Sequence, residues 1–294
     1  MHKVIKFDQN KGLLFVAPAV LTIMLVVIYP LFYTFILSFI RSDIFSNTFK
    51  YVGISQYIKL LKDPVFILSI KNTFLWTFNS VLFQFILGFI AAVLINQDFI
   101  KAKALLRILL LVPWVLPSIV GVMVWKWMFH ADFGIINVFL KWLGIISQNI
   151  SWVSEEKTAL ASAIIVNVWK MFPFVMIMID AALQNVPNDL KDAAKIDGAN
   201  DLRVFMTVTV PHIALACLTV ILLLTIWAFN AFTFIFVLTE GGPAHRSETL
   251  PMFIYKSAFR NYNFGIASSA SIVLLILVAI FSIIYIKIFL RRED

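Results

Sequence analysis

Charged residues are scarce in this chain of 294 residues, of which Asp, Glu, Lys and Arg make up 14%. This is far from the balance of a soluble domain. The only cysteine, Cys217, cannot form a disulfide within the chain and therefore gives no indication of the redox compartment. The sequence also predicts no metal site, because the four histidines are scattered without the spacing of metal ligands: His2, His130, His212 and His245.

Motifs of ATP-hydrolysing and hydrolytic enzymes are missing as well. None of the ten glycines opens a GxxxxGK[ST] loop, so the chain is not expected to bind or hydrolyse ATP. HExxH and GxSxG are also absent. Asp197-Gly198-Ala199 faintly resembles a motif of membrane phosphotransferases, but Asp201 and Arg203 are not where that motif requires them. We therefore disfavour a membrane-embedded transferase and predict that the chain is not an enzyme.

Apolar residues dominate the chain, at 61% of the total and with a mean hydropathy of +0.93. A transmembrane helix needs about 20 apolar residues, so a chain of this length holds about six of them and no separate catalytic domain. The net charge of +8 is assigned to membrane orientation, because the basic residues flank apolar blocks and form no nucleic-acid-binding stripe. The composition predicts an all-α polytopic membrane protein.

Six apolar blocks predict six transmembrane helices within a single domain covering residues 1–294. The spans are predicted at about residues 12–40, 72–95, 107–129, 158–183, 211–238 and 264–290. A short amphipathic helix is expected at residues 135–143, between the third and fourth spans. The termini share one side, which a slight excess of basic residues predicts to be cytoplasmic. Ten basic residues lie in the longer loops of the other side, and twelve lie on this one: Lys3, Lys6, Lys11, Lys101, Lys103, Arg107, Lys191, Lys195, Arg203, Lys287, Arg291 and Arg292.

The most hydrophilic stretch, residues 188–211, lies between the fourth and fifth spans and is therefore expected in the cytoplasm. Its pattern predicts two short helices, with Asn188 as a candidate N-cap of the first and Gly198 in the turn between them. Asn200 or Asp201 is expected to cap the second helix. Pro211 is expected to disfavour a continuous helix through Val210 and to begin the next span. Apolar residues at helical spacing are expected to lie on the membrane or the bundle: Leu202, Phe205 and Met206.

This segment, residues 186–211, resembles the EAA loop of bacterial ABC importer permeases. The matching residues are Asp192, Ala193, Ala194, Asp197, Gly198, Ala199, Phe205 and Pro211. The one departure is an aspartate at residue 192, where the family pattern has glutamate. The resemblance implies a coupling helix that docks into a groove on an ATPase subunit. The alternative is that the segment is only a solvated connector.

Two further stretches resemble the carbohydrate-uptake permeases of this family. They contain Gly53, Tyr57, Asp63 and Pro64 after the first span, and Gly241, Gly242, Pro243, Thr249, Leu250, Tyr255, Phe259 and Gly265 before the last. The resemblance implies a type I ABC importer permease in the bacterial plasma (inner) membrane that translocates a sugar or related polyol. The alternative function is an ATP-independent secondary transporter or channel.

The partners that the resemblance implies are a second permease subunit, usually a different chain, two ATPase subunits and an extracytoplasmic solute-binding protein. No cofactor is expected on this chain, since ATP and Mg²⁺ are used by the ATPase. Membrane lipid surrounds the spans, and no nucleic acid is expected.

Polar and aromatic residues inside the predicted spans are candidates for the substrate path, because such groups are costly in lipid. Amides can bond to sugar hydroxyls, and indole rings can stack on the apolar faces of pyranose rings. Each candidate has an alternative role, as interhelical hydrogen-bonding groups for Asn and Ser or as interface anchors for Trp169 and Lys170. Asn230 is the first choice among the candidates. They are Asn79, Ser80, Gln84, Ser118, Asn167, Trp169, Lys170, Trp227, Asn230 and Thr233.

Overall fold

The computed structural model describes residues 9–43, 48–97 and 99–290, and in these residues the chain is helical apart from one hairpin. The helices are α1 (Gln9–Ile23), α2 (Tyr29–Leu37), α3 (Ser55–Lys62), α4 (Pro64–Asn96), α5 (Lys103–Val115), α6 (Ser118–Met128), α7 (Ile135–Trp142), α8 (Ala159–Gln184), α9 (Asn188–Ile196), α10 (Asp201–Val204), α11 (Val210–Phe229), α12 (Thr233–Leu238), α13 (Leu250–Tyr255) and α14 (Phe264–Tyr285). The basic terminal residues Lys3, Lys6, Arg291 and Arg292 lie outside the described residues.

Five helical segments in the described part of the chain are long and apolar enough to cross a membrane, and a sixth is obtained if α5 and α6 form one bent span. The five are Val16–Leu37, Pro64–Asn96, Ala159–Gln184, Asp201–Phe229 and Phe264–Ile288. This confirms the prediction of a helical polytopic membrane protein. The short helix expected in the loop after the third span is also present, as α7.

The hairpin is a departure from the all-α prediction. Strand β1 (Ile40–Asp43) pairs antiparallel with β2 (Thr48–Tyr51), with Ile40 opposite Tyr51. The first span consequently ends at Leu37 and not at residue 40. The Tyr57 hydroxyl donates to Oγ of Ser38 at 2.7 Å, which anchors α3 just beyond the end of α2.

The second span begins eight residues earlier than expected, at Pro64. Its N-cap is Asp63, whose carboxylate accepts hydrogen bonds from the backbone N–H groups of Val65 at 2.8 Å and Phe66 at 3.4 Å. Proline suits the first helical position because its missing N–H has no partner there in any helix. These two residues explain why residues 64–71, predicted as loop, extend α4.

Two predicted spans are interrupted. The third is bent by 91° between α5 and α6, at Leu116 and Pro117. The fifth ends its long helix at Phe229 and continues as α12 only from Thr233. Neither predicted span is therefore a single straight helix. Proline explains the first interruption, since Pro117 has no N–H to continue the hydrogen-bond ladder.

Pro211, in contrast to Pro117, does not interrupt its helix. The helix runs without a break from Asp201 to Phe229, through a π turn at Phe205–Thr209 that directly precedes α11. Pro211 occupies the first turn of α11, and the wider π turn changes which carbonyls need a donor at this point. The expectation that Pro211 would disfavour a continuous helix through Val210 was wrong for this reason.

The described chain divides into two compact units, one formed by Met1–Lys62 and Ile254–Val273 and the other by Asp63–Phe253 and Leu274–Asp294. In the second unit, α4 and α8 pack closely along their lengths. Gly88 makes this approach possible, because a Cβ atom there would lie 2.4 Å from the Cβ atom of Val175. The largest fully buried side chain of this unit is Trp76.

Candidate functional site

The predicted coupling segment is a helix–turn–helix whose turn is set by Gly198. The backbone N–H of Gly198 donates to the carbonyl of Lys195, and that of Ala199 donates to the carbonyl of Ala194, both at 3.0 Å. These two bonds form a Schellman motif, which places the residue after the C-cap in the left-handed region. Gly198 has a φ of +85°, a conformation that favours glycine over any other residue.

The two helices on either side of this turn have different N-terminal caps. Asn200 caps α10, as predicted, with its side-chain oxygen accepting from the backbone N–H of Arg203 at 2.9 Å. Asn188 does not cap α9: it is the first helical residue, and Pro187 is in the cap position without a side-chain bond. A salt bridge of 3.0 Å between Lys195 and Asp201 joins α9 to α10 across the turn.

Most of the matched residues of the segment are accessible on the surface of the chain. The exposed residues are Asp192, Ala193, Asp197, Gly198 and Pro211. The half-buried residues are Ala194, Ala199 and Phe205.

Large apolar side chains accompany these polar residues on the same segment. Ile196 is 86% exposed and Leu202 71% exposed, and Leu190 and Met206 are exposed as well. Only Phe205 of the expected apolar face packs on the bundle, with its ring centroid 6.3 Å from that of Phe89 in α4. Exposed apolar side chains of this kind mark surfaces that a protein partner or a membrane covers.

A cavity of about 240 Å³ collects five of the predicted substrate-path residues in the second unit. It lies among α4, α8, α11 and α12, at the interruption between α11 and α12. The five are Gln84, Asn167, Trp227, Asn230 and Thr233.

The lining of this cavity combines buried amides with an accessible indole. Gln84 and Asn167 are 2% and 4% exposed, and Nε2 of Gln84 donates to the backbone carbonyl of Asn167 at 3.3 Å. Trp227 is 43% exposed, and its ring packs against Phe174 with 4.9 Å between centroids. Asn230 forms the C-cap of α11, where its Nδ2 donates to the carbonyl of Ile226 at 2.8 Å. Such a lining suits a ligand with hydroxyl groups and an apolar face.

The remaining candidates lie elsewhere. Asn79 and Trp169 line a different groove of about 680 Å³, which is mostly apolar. Ser118 is the first residue of α6, and Ser80 is fully buried within α4. Lys170 is 6% exposed and bonds to backbone carbonyls of α5, so the alternative that it anchors at the membrane interface was wrong.

Sequence reasoning missed several residues of the cavity and of the predicted coupling segment. Met171, Leu224 and Phe232 line the cavity, and Ile196 is the most exposed large apolar residue of the segment. The first three are apolar residues in apolar blocks and carry no signal of their own. Ile196 did carry a sequence signal, because it is an isoleucine in a run of mostly polar residues.

Comparisons with known proteins find relatives that match most of the chain. Residues 84–293 match the family described as "Binding-protein-dependent transport system inner membrane component". The chain is 32% identical over 294 residues to the trehalose/maltose transport system permease protein MalF of Thermococcus litoralis, covering 99% of this chain and 97% of that protein. It is 29% identical over 288 residues to the sulfoquinovosyl glycerol transport system permease protein SmoG of Agrobacterium fabrum, covering 98% and 92%.

Solved structures show the same fold. A chain from the crystal structure of a bacterial ABC transporter involved in the import of the acidic polysaccharide alginate superposes with a TM-score of 0.85. The two chains are 18% identical, and the superposition covers 100% of each.

Proposed function

The chain belongs to the inner membrane components of binding-protein-dependent transport systems, as a non-catalytic permease of an ABC importer, and we propose that it translocates a sugar or a related polyol. The observation that carries this proposal is the cavity with Gln84, Asn167 and Trp227, since amides and an accessible indole bind hydroxyl-rich ligands. The names of the relatives support the same class, because they refer to trehalose, maltose and sulfoquinovosyl glycerol.

The placement of the cavity supports a role of the coupling segment in moving its walls. Helix α8 contributes Asn167 and Met171 to the cavity and leads directly into α9. The helix that starts at Asp201 contributes Trp227 at its other end. We propose that α9 and α10 dock on an ATPase subunit and that ATP-driven closure of the two ATPase subunits tilts both helices. The cavity then opens alternately to the two sides of the membrane.

The residues of the segment have different roles in this docking. Gly198 fixes the angle between α9 and α10, and Ala193, Ala194 and Ala199 permit close approach. Asp192 and Asp197 meet basic groups of the ATPase, while the two most exposed apolar side chains enter its groove: Ile196 and Leu202. Phe205 holds the segment to α4, and Pro211 lies in the first turn of α11 after the π turn.

The complete transporter contains, in this proposal, a second permease subunit of different sequence and two ATPase subunits that bind ATP and Mg²⁺. An extracytoplasmic solute-binding protein delivers the substrate, and both termini of this chain are cytoplasmic. The termini and the coupling segment then share the side of the membrane on which ATP is available.

Cysteine cross-linking in membranes tests the docking. A cysteine is introduced as Ala194→Cys in a Cys217→Ala background, and each candidate ATPase subunit carries a cysteine in its docking groove. The control is Ile145→Cys, at an exposed residue beyond α7. We expect cross-links from residue 194 alone, with a yield that responds to ATP. A correctly inserted protein that forms no cross-link to any ATPase would favour an ATP-independent transporter.

Uptake into liposomes tests the substrate class. The complex of both permeases and the ATPase subunits is reconstituted with ATP inside, and the binding protein is added outside with radiolabelled maltose, trehalose, glucose or glycerol 3-phosphate. An amino acid mixture serves as the negative panel. Import of amino acids without import of any hydroxylated compound would refute the sugar assignment.

A further inference from the structure

Lys170 is a buried cation in the middle of α8, and its ammonium group bonds to the end of another helix. Its Nζ atom donates to the backbone carbonyls of Pro113 at 2.9 Å, of Trp114 at 2.7 Å and of Leu116. The last carbonyls of a helix have no partner inside it, and Pro117 has no N–H that could reach Pro113. Lys170 therefore satisfies the carbonyls that the bend between α5 and α6 leaves free. Its positive charge also lies at the negative end of the α5 dipole.

A second lysine forms the same kind of bond at the other interrupted span. Lys126 lies in the last turn of α6, and its Nζ atom donates to the carbonyl of Val237 at 2.8 Å. Val237 is in the last turn of α12, so its carbonyl is again one without a partner in its own helix. Helix α12 lines the cavity through Thr233 and Phe234. Lys126 thus connects α6 to a wall of the cavity.

Side-chain packing connects α6 to α8 between these two bonds. The rings of Trp125 and Trp169 meet edge to face with 5.8 Å between centroids. A Cβ atom at Gly121 would lie 3.1 Å from the ring of Trp169, so the backbone of α6 approaches α8 closely at this point. Contacts therefore run from α8 through α6 to α12.

Lysine is suited to hold helix ends that move. Its ammonium group has three donors on a flexible stem of four carbons, so it can stay bonded to several carbonyls while the angle between two helices changes. A buried charge in a membrane span is costly, and a methionine of similar length would fill the same space without that cost. The bond of Lys170 at the bend is therefore unexplained by packing alone, whereas Lys126 is exposed and bonds to the last turn of α12.

We propose that Lys170 and Lys126 are positioning residues that make α8, α6 and α12 move together, so that displacement of the coupling segment reaches the cavity wall. This inference rests on the proposed transport function. In it, α8 transmits the motion to the bend through Lys170, and α6 transmits it to α12 through Lys126. Loss of either bond leaves ATP hydrolysis possible but separates it from the movement of the cavity wall.

The test measures ATP hydrolysis and uptake together in the reconstituted complex, using radiolabelled maltose or whichever panel compound the wild type imports. The variants are Lys170→Met, Lys126→Met, their combination and Lys170→Arg, with Lys141→Met in α7 as an exposed control. We expect the amount imported per ATP hydrolysed to fall about tenfold for each methionine variant, the size expected for a lost hydrogen bond to a charged group. The arginine variant keeps its donors and should retain most of the wild-type ratio.

The combined variant separates a common pathway from two independent effects. If both lysines act on the same movement, the combination lowers the ratio no further than the more severe single variant. Losses that multiply in the combination, or wild-type ratios in both single variants, would overturn the proposal. If Lys170→Met fails to assemble, Lys126→Met decides the question alone, since Lys126 lies at the surface of the chain. A wild-type complex without hydrolysis stimulated by the binding protein would instead refute the proposed function itself.

Discussion

Arg107 and Asp180 form an ion pair in which Nε of the arginine lies 2.9 Å from Oδ2 of the aspartate. The same carboxylate also accepts hydrogen bonds from Nδ2 of Asn96 at 2.5 Å and from Nε2 of Gln184 at 3.1 Å. The Asp180 side chain is only 9% exposed. One buried carboxylate therefore joins the C-terminal end of α4 and the beginning of α5 to α8.

Removal of this carboxylate should destabilise the chain strongly. Asp180→Ala leaves the Arg107 charge without its partner and is expected to cost about 3 kcal/mol. The control is Glu156→Ala, which breaks a pair with Arg246 of the same length, 2.9 Å, but with both side chains more than half exposed. That variant should cost no more than about 1 kcal/mol. Thermal unfolding of the purified variants in detergent measures both, and equal shifts of the melting temperature would contradict the prediction.

Gly198→Asp should leave membrane insertion intact and uncouple ATP hydrolysis from uptake. The change forces a side chain into a backbone conformation with positive φ, at a cost of about 1–2 kcal/mol, and changes the angle between α9 and α10. Gly144→Asp is a matched control, because Gly144 has a φ of +71° and no atom within 4 Å of an added Cβ, as at Gly198. Normal uptake by the Gly198 variant would be incompatible with the coupling role.

Trp227→Ala should lower the apparent affinity of uptake about tenfold, because the indole supplies the apolar surface on which a sugar ring stacks. The affinity of the binding protein for its substrate should stay the same, since that step takes place on another chain. Trp142→Ala in α7 removes an indole that is 78% exposed and serves as the control. Concentration series of uptake for the three proteins provide the measurement. Equal half-saturation for the wild type and the Trp227 variant would exclude stacking at this site.

Ile196→Glu should weaken the binding of the ATPase subunit at least about tenfold. Its side chain is 86% exposed in the chain alone, and burying a carboxylate in an apolar groove is unfavourable. The stability of the isolated chain should hardly change, because the side chain makes few contacts within it. Ile145→Glu, at a side chain that is 65% exposed, serves as the control. The readout is the amount of ATPase that copurifies with each variant, and equal recovery would remove Ile196 from the docking surface.

Local sequence signals predicted those features that local chemistry determines. A glycine after a short polar helix indicated the turn at Gly198, and Asn200 indicated the cap of α10. Polar residues in apolar spans indicated the cavity, where Asn167 and Asn230 are brought together. In each case the residue type suits the position that it occupies: glycine a backbone with positive φ, asparagine a helix cap, and a polar side chain in a span a site away from lipid.

The two interruptions differ in their local signals: Pro117 marks the bend between α5 and α6, whereas the break after Phe229 has no such residue. No proline or glycine marks the break after Phe229; instead, Nε1 of Trp76, a residue distant in sequence, donates to the carbonyl of Ala228 at 3.1 Å. The presence of a proline alone does not predict whether a span is interrupted. Pro18 lies inside α1 without interrupting it, whereas the bend at Pro117 has Lys170 to satisfy the carbonyls it frees.

The unbroken helix from Asp201 to Phe229 has 29 residues and is therefore about 43 Å long. Its first turn carries the exposed Leu202, and its last turn carries Trp227. In the proposed transport mechanism this helix is a lever arm: a tilt of about 10° about one end moves the other by about 7.5 Å. A spherical cavity of about 240 Å³ is about 8 Å across, so in that mechanism a small rotation displaces the cavity wall by nearly the width of the cavity.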